Sequence, residues 1–357
     1  MKKFPLISSI VCALGISICS SACTWSTKAY RDYALFDLHV HLDGAISAKT
    51  IIQVAKQDGV ELPTTNAKEL QKYISVDENC TGLEDYLTKF EIPNKVLQTE
   101  YGLKECADDV LARFAKQGIK YTELRMAPQK CTEKGLSQDK VVSALLDVIN
   151  KSEESHKIKS RLILCMMREG TKEDNKETID VAKKYLGQGV VSIDLAGLES
   201  KYPNELFVEE FLYAKEQGVP YTIGAGQDAG YESVNSALDL GAVRISHGIR
   251  SLENKDTMKR LKQTGTPLTL CPKSYIDTNA IEGGIKNLNI KKLLSNGVKV
   301  TLNTGNPTVS DTTLKYQYEM LNDLGVSVKQ AKQIALNSIE ASFLNEEEKA
   351  ELREYVK

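Results

Sequence analysis

The hydrophobic pattern repeats from about residue 100 onward as a unit in which an amphipathic helical stretch ends in glycine and a short apolar run follows at once. The glycines are Gly118, Gly189, Gly218, Gly241, Gly265 and Gly297, and the runs after them cover 119–126, 190–197, 219–224, 242–248, 266–271 and 298–304. Glycine just beyond a helix supplies the left-handed residue at which the chain turns back. The runs are rich in Val, Ile, Thr and Tyr and almost continuously apolar, which is typical of parallel strands buried on both faces.

Two further runs, at residues 34–41 and 160–167, lack the glycine but have the same composition. Eight strands that alternate with helices predict an α/β fold, the (β/α)8 TIM barrel, as a single domain. An open, doubly wound sheet is the structural alternative. We expect a long insertion at about residues 60–100, between the first two strands, and a terminal helix at 346–356.

The first residues are not expected to belong to the barrel, because their order of basic, apolar and small residues is typical of an export signal. Lys2 and Lys3 precede a mostly apolar stretch and a run of small residues that ends at Cys23. This order predicts a signal peptide at residues 1–23 and a barrel domain at 31–357. Cys23 is either the lipid-modified first residue of a lipoprotein or a neighbour of a plain cleavage site, because Ser20 stands where lipoproteins usually have leucine. The protein is thus expected to be exported, either secreted or held on the cell surface, and it would contact a membrane only through that lipid.

Overall composition indicates which kinds of binding partner are expected. The chain has 357 residues, a formal net charge of −2 and 41% hydrophobic residues. These values predict a globular protein without extensive disorder, and they give no reason to expect nucleic acid as a partner. A small neutral ligand fits this charge balance better.

Five of the eight cysteines lie beyond the leader, an odd number at wide spacing. No CxxC pair occurs, which excludes a zinc knuckle or a thioredoxin motif. Cys165 and Cys271 lie in apolar runs and are expected to be buried. A disulfide among Cys80, Cys106 and Cys131 is left open by the sequence.

The ends of the predicted strands carry the candidate chemistry, since active sites of such barrels lie at the C-terminal ends of the strands. His39 and His41 end the first strand and lie two residues apart, so their side chains point to one face. Imidazole is a common zinc ligand, whereas the alternative is a pair of hydrogen-bonded core histidines. The chain has only four histidines, and their concentration here favours a functional site.

Several strand-end motifs together resemble the adenosine deaminase family of the amidohydrolase barrels, over residues of about 34 to 350. The motifs are HVHLDG at 39–44, LAG at 195–197, SHG at 246–248 and LNT-x-x-P at 302–307. The resemblance implies a zinc ion held by both histidines of HxH, a histidine ending the fifth strand and an aspartate ending the eighth. The zinc would lower the pKa of a bound water that attacks C6 of the purine. A glutamate three residues after the fifth-strand histidine would transfer protons.

The matching positions are kept in part. By this resemblance His39 and His41 correspond to zinc ligands, and Asp43 and Gly197 correspond to nucleoside contacts near His41. His247 corresponds to the histidine that orients the hydroxide.

Three positions depart from the family pattern, and a fourth differs more mildly. Gly224 stands where the family has the fifth-strand histidine, Gln227 where it has the glutamate, and Gly305 where it has the aspartate. Asn306 replaces an aspartate that binds substrate in some members. Glycine has no side chain to ligate a metal, and an amide cannot accept and return a proton. The sequence therefore predicts a remnant zinc site with weak or absent metal.

Other sites were weighed against this one. A relocated ligand at Asp194 or Asp228 is the alternative to a lost metal site. The glycines at 224, 226 and 230 miss the GxGxxG spacing of dinucleotide-binding folds, and no phosphate-binding P-loop, PCxxC deaminase motif or GxSxG elbow occurs.

Three functions follow as hypotheses. The leading one is an exported protein with a pocket for a purine nucleoside and impaired or lost deaminase activity. The first alternative is a working zinc-dependent adenosine deaminase, which converts adenosine and water to inosine and ammonia. The second is a surface-displayed binding or scaffold module.

Overall fold

The computed structural model describes residues 27–356 of the chain, and the predicted signal peptide lies outside these residues. Eight strands alternate with helices along it. The strands are β1 Phe36–His41, β2 Tyr121–Met126, β3 Lys159–Met167, β4 Val190–Ala196, β5 Tyr221–Ala225, β6 Arg244–His247, β7 Leu268–Leu270 and β8 Val300–Leu302. Each matches a run that the hydrophobic pattern predicted, although β3 begins one residue before its run and β5 ends one residue after it.

The helices fill the connections and the C-terminal region. Before β4 they are α1 Ala48–Asp58, α2 Ala67–Ile74, α3 Leu83–Leu87, α4 Glu91–Val96, α5 Glu100–Gln117, α6 Gln138–Ile149, α7 Ser152–His156 and α8 Lys172–Tyr185. After β4 they are α9 Val208–Glu216, α10 Tyr231–Leu240, α11 Lys255–Thr264, α12 Pro272–Asp277, α13 Ile290–Ser295, α14 Leu314–Asp323, α15 Val328–Ala341 and α16 Glu346–Arg353. All six glycines that were expected to end helical stretches have positive φ. The predicted insertion contains α2, α3 and α4.

The strands form one parallel sheet in the order β1 to β8, and its edges meet. A parallel bridge joins Val40 to Gly305 just beyond β8. There the His41 amide donates to the Gly305 carbonyl at 2.8 Å, and the Gly305 amide donates to the His39 carbonyl at 2.9 Å. The single-domain TIM barrel is confirmed, and the open doubly wound sheet is excluded. Among the described residues no helix is long and apolar enough to cross a membrane.

Apolar and polar side chains occupy opposite sides of the barrel wall. Alternate strand residues such as Leu164, Ile193 and Ile245 are fully buried in the main hydrophobic cluster with the helices. The residues between them are largely polar, and Glu123 and Arg125 of β2 reach Arg244 and Ser246 of β6 across the barrel. Because burial of a polar group is costly unless it is hydrogen-bonded, these residues form a connected network.

One end of this network joins the barrel to the C-terminal region. Glu123 and Arg244 form an ion pair of 2.5 Å, with side chains 0% and 1% exposed. The Glu123 carboxylate also accepts from the Tyr121 hydroxyl at 2.8 Å and the Phe343 amide at 2.9 Å. Arg244 donates to the Ala341 carbonyl at 2.9 Å. The pair thereby fixes the segment between α15 and α16 against the barrel.

All five cysteines in the described part of the chain are buried and free. The burial predicted for Cys165 and Cys271 is confirmed, and Cys80, Cys106 and Cys131 form no disulfide. Burial raises the pKa of each of these thiols. A raised pKa favours the protonated, less nucleophilic form of each thiol in the folded state.

Removal of the negative charge from the Glu123–Arg244 pair should destabilise the fold strongly. The substitution Glu123→Gln leaves the Arg244 guanidinium buried without a counter-charge, and we expect a loss of about 3 kcal/mol in the free energy of unfolding. Urea denaturation followed by circular dichroism measures it. The matched control is Glu209→Gln in the exposed Lys172–Glu209 pair, which should change stability little. Equal effects of the two substitutions would contradict this account.

Candidate active-site cavity

A cavity of about 290 Å³ opens at the C-terminal ends of the strands. All nine residues that the sequence singled out line it: His39, His41, Asp43, Gly197, Gly224, Gln227, His247, Gly305 and Asn306. They come from the ends of β1, β4, β5, β6 and β8, so barrel closure alone accounts for their proximity. The cavity is the candidate functional site.

Sequence reasoning missed one wall of this cavity. Leu83, Tyr86, Leu87 and Phe90 line it from α3 and the turn that follows. These residues belong to the insertion between β1 and β2, for which the sequence indicated no role in the site. Their apolar spacing of three and four residues was the available signal, since it marks a helix face that must be covered.

Three histidine rings lie together at the inner end of the cavity. The His39 ring centroid is 5.4 Å from that of His41 and 4.9 Å from that of His247. Nδ1 of His39 is 2.9 Å from the Thr269 hydroxyl, and Nδ1 of His247 is 3.3 Å from the Tyr275 hydroxyl. His247 has φ of 70°, a left-handed conformation that non-glycine residues rarely adopt outside functional sites or turns.

All three imidazoles are neutral at physiological pH. Burial, together with the charge of the nearby Arg125 guanidinium, lowers the pKa of His41 and of His247 to about 3. Burial, followed by the charge of Arg125, also brings the pKa of His39 well below its usual value. Each ring thus has one nitrogen that donates and one that accepts a hydrogen bond.

The carboxylate of Asp194, weighed above as a relocated ligand, is already bound. It lies 3.1 Å from Nη1 of Arg125 and also accepts from the hydroxyls of Thr222 and, at 3.3 Å, Ser246. Arg125 in turn donates to the Ser246 hydroxyl at 2.9 Å and to the Leu38 carbonyl at 3.2 Å. Asp194 therefore serves as the counter-charge of Arg125.

Two other acidic residues near the site are also engaged. Asp37 is buried beneath His39 and accepts from the hydroxyl of Thr304 at 2.6 Å. Its burial raises the pKa to about 7. Asp228, the second relocated candidate, accepts from the hydroxyl and the amide of Ser200 at 2.5 and 3.2 Å.

The two glycines at the metal-ligand positions differ in backbone geometry. Gly305 has φ of 69°, and a Cβ there would lie 3.3 Å from the side chain of Cys271. Gly224 lies in β5, and a Cβ there would have one neighbour within 4 Å, the Leu195 carbonyl oxygen at 3.0 Å. Open space thus faces Gly224 on the cavity side.

These residues do not fit the four-ligand zinc site of the resembled family. Glycines 224 and 305 provide no donor atom, and the adjacent carboxylates are bound to Arg125, Thr304 and Ser200. Within residues 27–356, no three or more His, Cys, Asp and Glu side chains are grouped so that they could hold a metal ion together. A catalytic zinc normally has three protein ligands, and the two histidines of the HxH motif are one short of that number.

The turn after β5 is held by a single carboxylate. Glu199 is 4% exposed and accepts hydrogen bonds from four consecutive backbone amides, those of residues 226–229, at 2.5 to 3.2 Å. The turn contains Gln227, whose Nε2 approaches the Ser274 hydroxyl at 3.5 Å. The sequence indicated no role for Glu199, because contacts between the loops that follow β4 and β5 leave no local pattern.

The remaining predicted contacts surround the cavity mouth. Gly197 has φ of 115°, and a Cβ there would collide with the carboxylate of Glu169, which accepts from the Leu198 amide at 2.7 Å. Burial raises the pKa of Asp43 to about 6. Oδ1 of Asn306 is buried without a hydrogen-bond partner among the described residues. Gly197 thus gives the cavity lining a close backbone approach, and Asp43 and Asn306 are polar residues of the same lining.

Replacement of the Glu199 carboxylate should loosen this turn. In Glu199→Gln the neutral amide is a weaker acceptor for the four backbone amides, and we expect a loss of about 2 kcal/mol in the free energy of unfolding. Hydrogen exchange measured by mass spectrometry should speed up at residues 226–229. The control Glu205→Gln, at an exposed glutamate of the same loop, should leave exchange there unchanged. Unaltered protection in Glu199→Gln would show that the carboxylate does not hold the turn.

Comparison with known proteins agrees with this architecture. The sequence matches the adenosine deaminase family over residues 35–357. An adenosine deaminase of Haemophilus ducreyi is 41% identical over 330 residues, covering 91% of this chain and 96% of the relative. One of Clostridium botulinum is 40% identical over 331 residues, covering 92% and 98%.

Solved structures give the same result for the fold. Adenine deaminase of Arthrobacter aurescens superposes with a TM-score of 0.82 at 28% identity, covering 90% of this chain and 97% of the other. Arabidopsis ADAL complexed with IMP has a TM-score of 0.78 at 24% identity, covering 92% and 97%, which is a likeness of fold. The chain belongs to the adenosine deaminase family.

Proposed function

We propose that the cavity binds a purine nucleoside and that the chain has little or no deaminase activity. The family is zinc-dependent. The observation that carries the proposal is the cavity lining, in which positions corresponding to nucleoside contacts lie beside Gly224, Gln227 and Gly305 at the metal-ligand and proton-transfer positions. Relatives at about 40% identity are adenosine deaminases, which supports a purine nucleoside as the ligand. Zinc binding is proposed to be weak or absent.

The retained groups suit an uncharged base and a ribose. Purine nitrogens and exocyclic groups offer donors and acceptors, and three neutral imidazoles offer both kinds of partner. Gly197, with its close backbone approach, lines the same cavity as Asp43 and Asn306. By correspondence with the family, C6 of the base would face positions 224 and 305.

The same geometry explains the proposed loss of turnover. Gln227 occupies the place of the acid/base glutamate, and its amide cannot exchange a proton. A positioned proton-transfer group typically contributes about 10²–10⁴-fold to the rate. The neutral His247 is hydrogen-bonded to Tyr275, and no cavity carboxylate stands where the fifth- or eighth-strand ligand of the family would be.

Three measurements on one purified sample of the mature protein test this proposal. Zinc content should lie well below one ion per chain, and adenosine should give no absorbance change towards inosine. Calorimetry should detect binding of adenosine, deoxyadenosine or inosine. A family member with all four zinc ligands, assayed in parallel, provides the positive control.

Two outcomes would overturn the proposal in different directions. Stoichiometric zinc with formation of inosine would establish the working deaminase. Absence of binding for all three nucleosides would remove the nucleoside pocket and favour the scaffold module.

A converse test restores the side chains that the family uses to ligate zinc and to transfer protons. The triple variant Gly224→His, Gln227→Glu, Gly305→Asp should bind about one zinc ion per chain, because it completes the ligand set. It should also be less stable, since an L-residue in the left-handed conformation of Gly305 costs about 1–2 kcal/mol. Gln227→Glu alone serves as the matched control and should gain no zinc. A folded triple variant without zinc would show that these positions do not limit metal binding.

A further inference from the structure

The His247 side chain, which lines the cavity, is held by a tyrosine of α12. Tyr275 is 1% exposed, and its ring centroid lies 5.7 Å from that of His247 in an edge-on contact. Its hydroxyl has two partners among the described residues, Nδ1 of His247 at 3.3 Å and the backbone amide of Cys271 at 3.0 Å. Cys271 lies between the end of β7 and the start of α12, so the hydroxyl joins the imidazole to the barrel backbone.

The direction of these two hydrogen bonds follows from the protons that are available. A backbone amide can only donate, so the Tyr275 oxygen accepts from Cys271. Burial raises the pKa of the Tyr275 phenol, so the hydroxyl keeps its one proton. A proton on Nδ1 of His247 would make the ring a second donor to this oxygen, and the buried hydroxyl proton would then have no acceptor within residues 27–356. The arrangement that leaves no donor unpaired is a Tyr275 hydroxyl that donates to Nδ1.

A nitrogen Nδ1 that accepts a hydrogen bond determines the tautomer of the His247 ring. A neutral imidazole has one N–H group, so the proton of this ring is on Nε2. Nε2 has no hydrogen-bond partner in the part of the chain that the structure describes, and the side chain lines the cavity. The Nε2–H group is therefore the donor that this ring can offer to a bound molecule.

We propose that Tyr275 is a positioning residue, which holds His247 in the Nε2–H tautomer so that the cavity presents a hydrogen-bond donor to an acceptor atom of the ligand. A carbonyl oxygen or an unprotonated ring nitrogen fits this donor, whereas the hydrogens of an amino group do not. The consequence for a purine nucleoside rests on the proposed function. The tautomer itself does not, because it follows from contacts within the protein.

Nitrogen-15 NMR of the histidine side chains in the native chain tests the tautomer directly. The sequence contains four histidines, and comparison with His247→Gln assigns the two nitrogen resonances of His247. At neutral pH we expect a protonated Nε2 and an unprotonated, hydrogen-bonded Nδ1. A proton on Nδ1, with or without one on Nε2, would overturn the proposal.

Deletion of the hydroxyl tests the hydrogen bond from Tyr275. In Tyr275→Phe the nitrogen Nδ1 loses its donor, and its resonance should move towards that of a nitrogen without a hydrogen bond. The matched control is Tyr221→Phe, which deletes a hydroxyl that donates to the Leu240 carbonyl at 2.6 Å, at the first residue of β5. It should leave both resonances of His247 unchanged. An unchanged Nδ1 in Tyr275→Phe would contradict the proposal, and if that variant does not fold, the native tautomer decides alone.

Calorimetry connects the tautomer to the ligand. The affinity for a nucleoside should fall about two- to tenfold in Tyr275→Phe, the range that one hydrogen bond gives, and stay constant in Tyr221→Phe. Equal affinities in the two variants would overturn the positioning role and leave the proposed function standing. Absence of nucleoside binding by the native chain would overturn the proposed function, and the NMR result would still decide whether Tyr275 sets the tautomer.

Discussion

The buried guanidinium of Arg125 is the group on which the interior of this barrel depends. It is 0% exposed, and it reaches β1, β4 and β6 through Leu38, Asp194 and Ser246. A buried charge is tolerated only with a partner, so Asp194 is committed to it. The same charge adds to burial in keeping the imidazoles of the cavity neutral. The charge of Arg125, a fully buried residue, thus helps to determine the electrostatic character of the site.

This arrangement bears on the proposal that zinc binding is weak or absent. Buried carboxylates that hold a dication are balanced by its positive charge. Removal of the metal would leave those acids buried without a counter-charge. Here the cavity has neutral rings and two glycines at those positions, and the nearest acids are hydrogen-bonded elsewhere. Within the described residues, no buried acid next to the cavity therefore depends on a metal ion for its counter-charge.

The sequence predicted the barrel well because its signals are local. A glycine after each helix and an apolar run after each glycine mark a strand without knowledge of its neighbours. The residues of the cavity were assigned by their resemblance to the family's motifs, and barrel closure brings together the strand ends on which they lie. Contacts across the barrel mouth were not predictable in this way: the four amides held by Glu199, the apolar wall from α3 and the bridge at Gly305 each join distant parts of the chain.

The burial of the five thiols has a consequence for the rate at which the chain must fold. A thiol that is protonated and enclosed is inert to oxidants, but it gains this protection only once the barrel has closed. If the chain is exported as predicted, it meets an oxidising compartment with these cysteines exposed. Folding then competes with disulfide formation, and each wrong crosslink would hold apart strands that must pair. For such a protein the rate of barrel closure, rather than its final stability, decides the yield of native molecules.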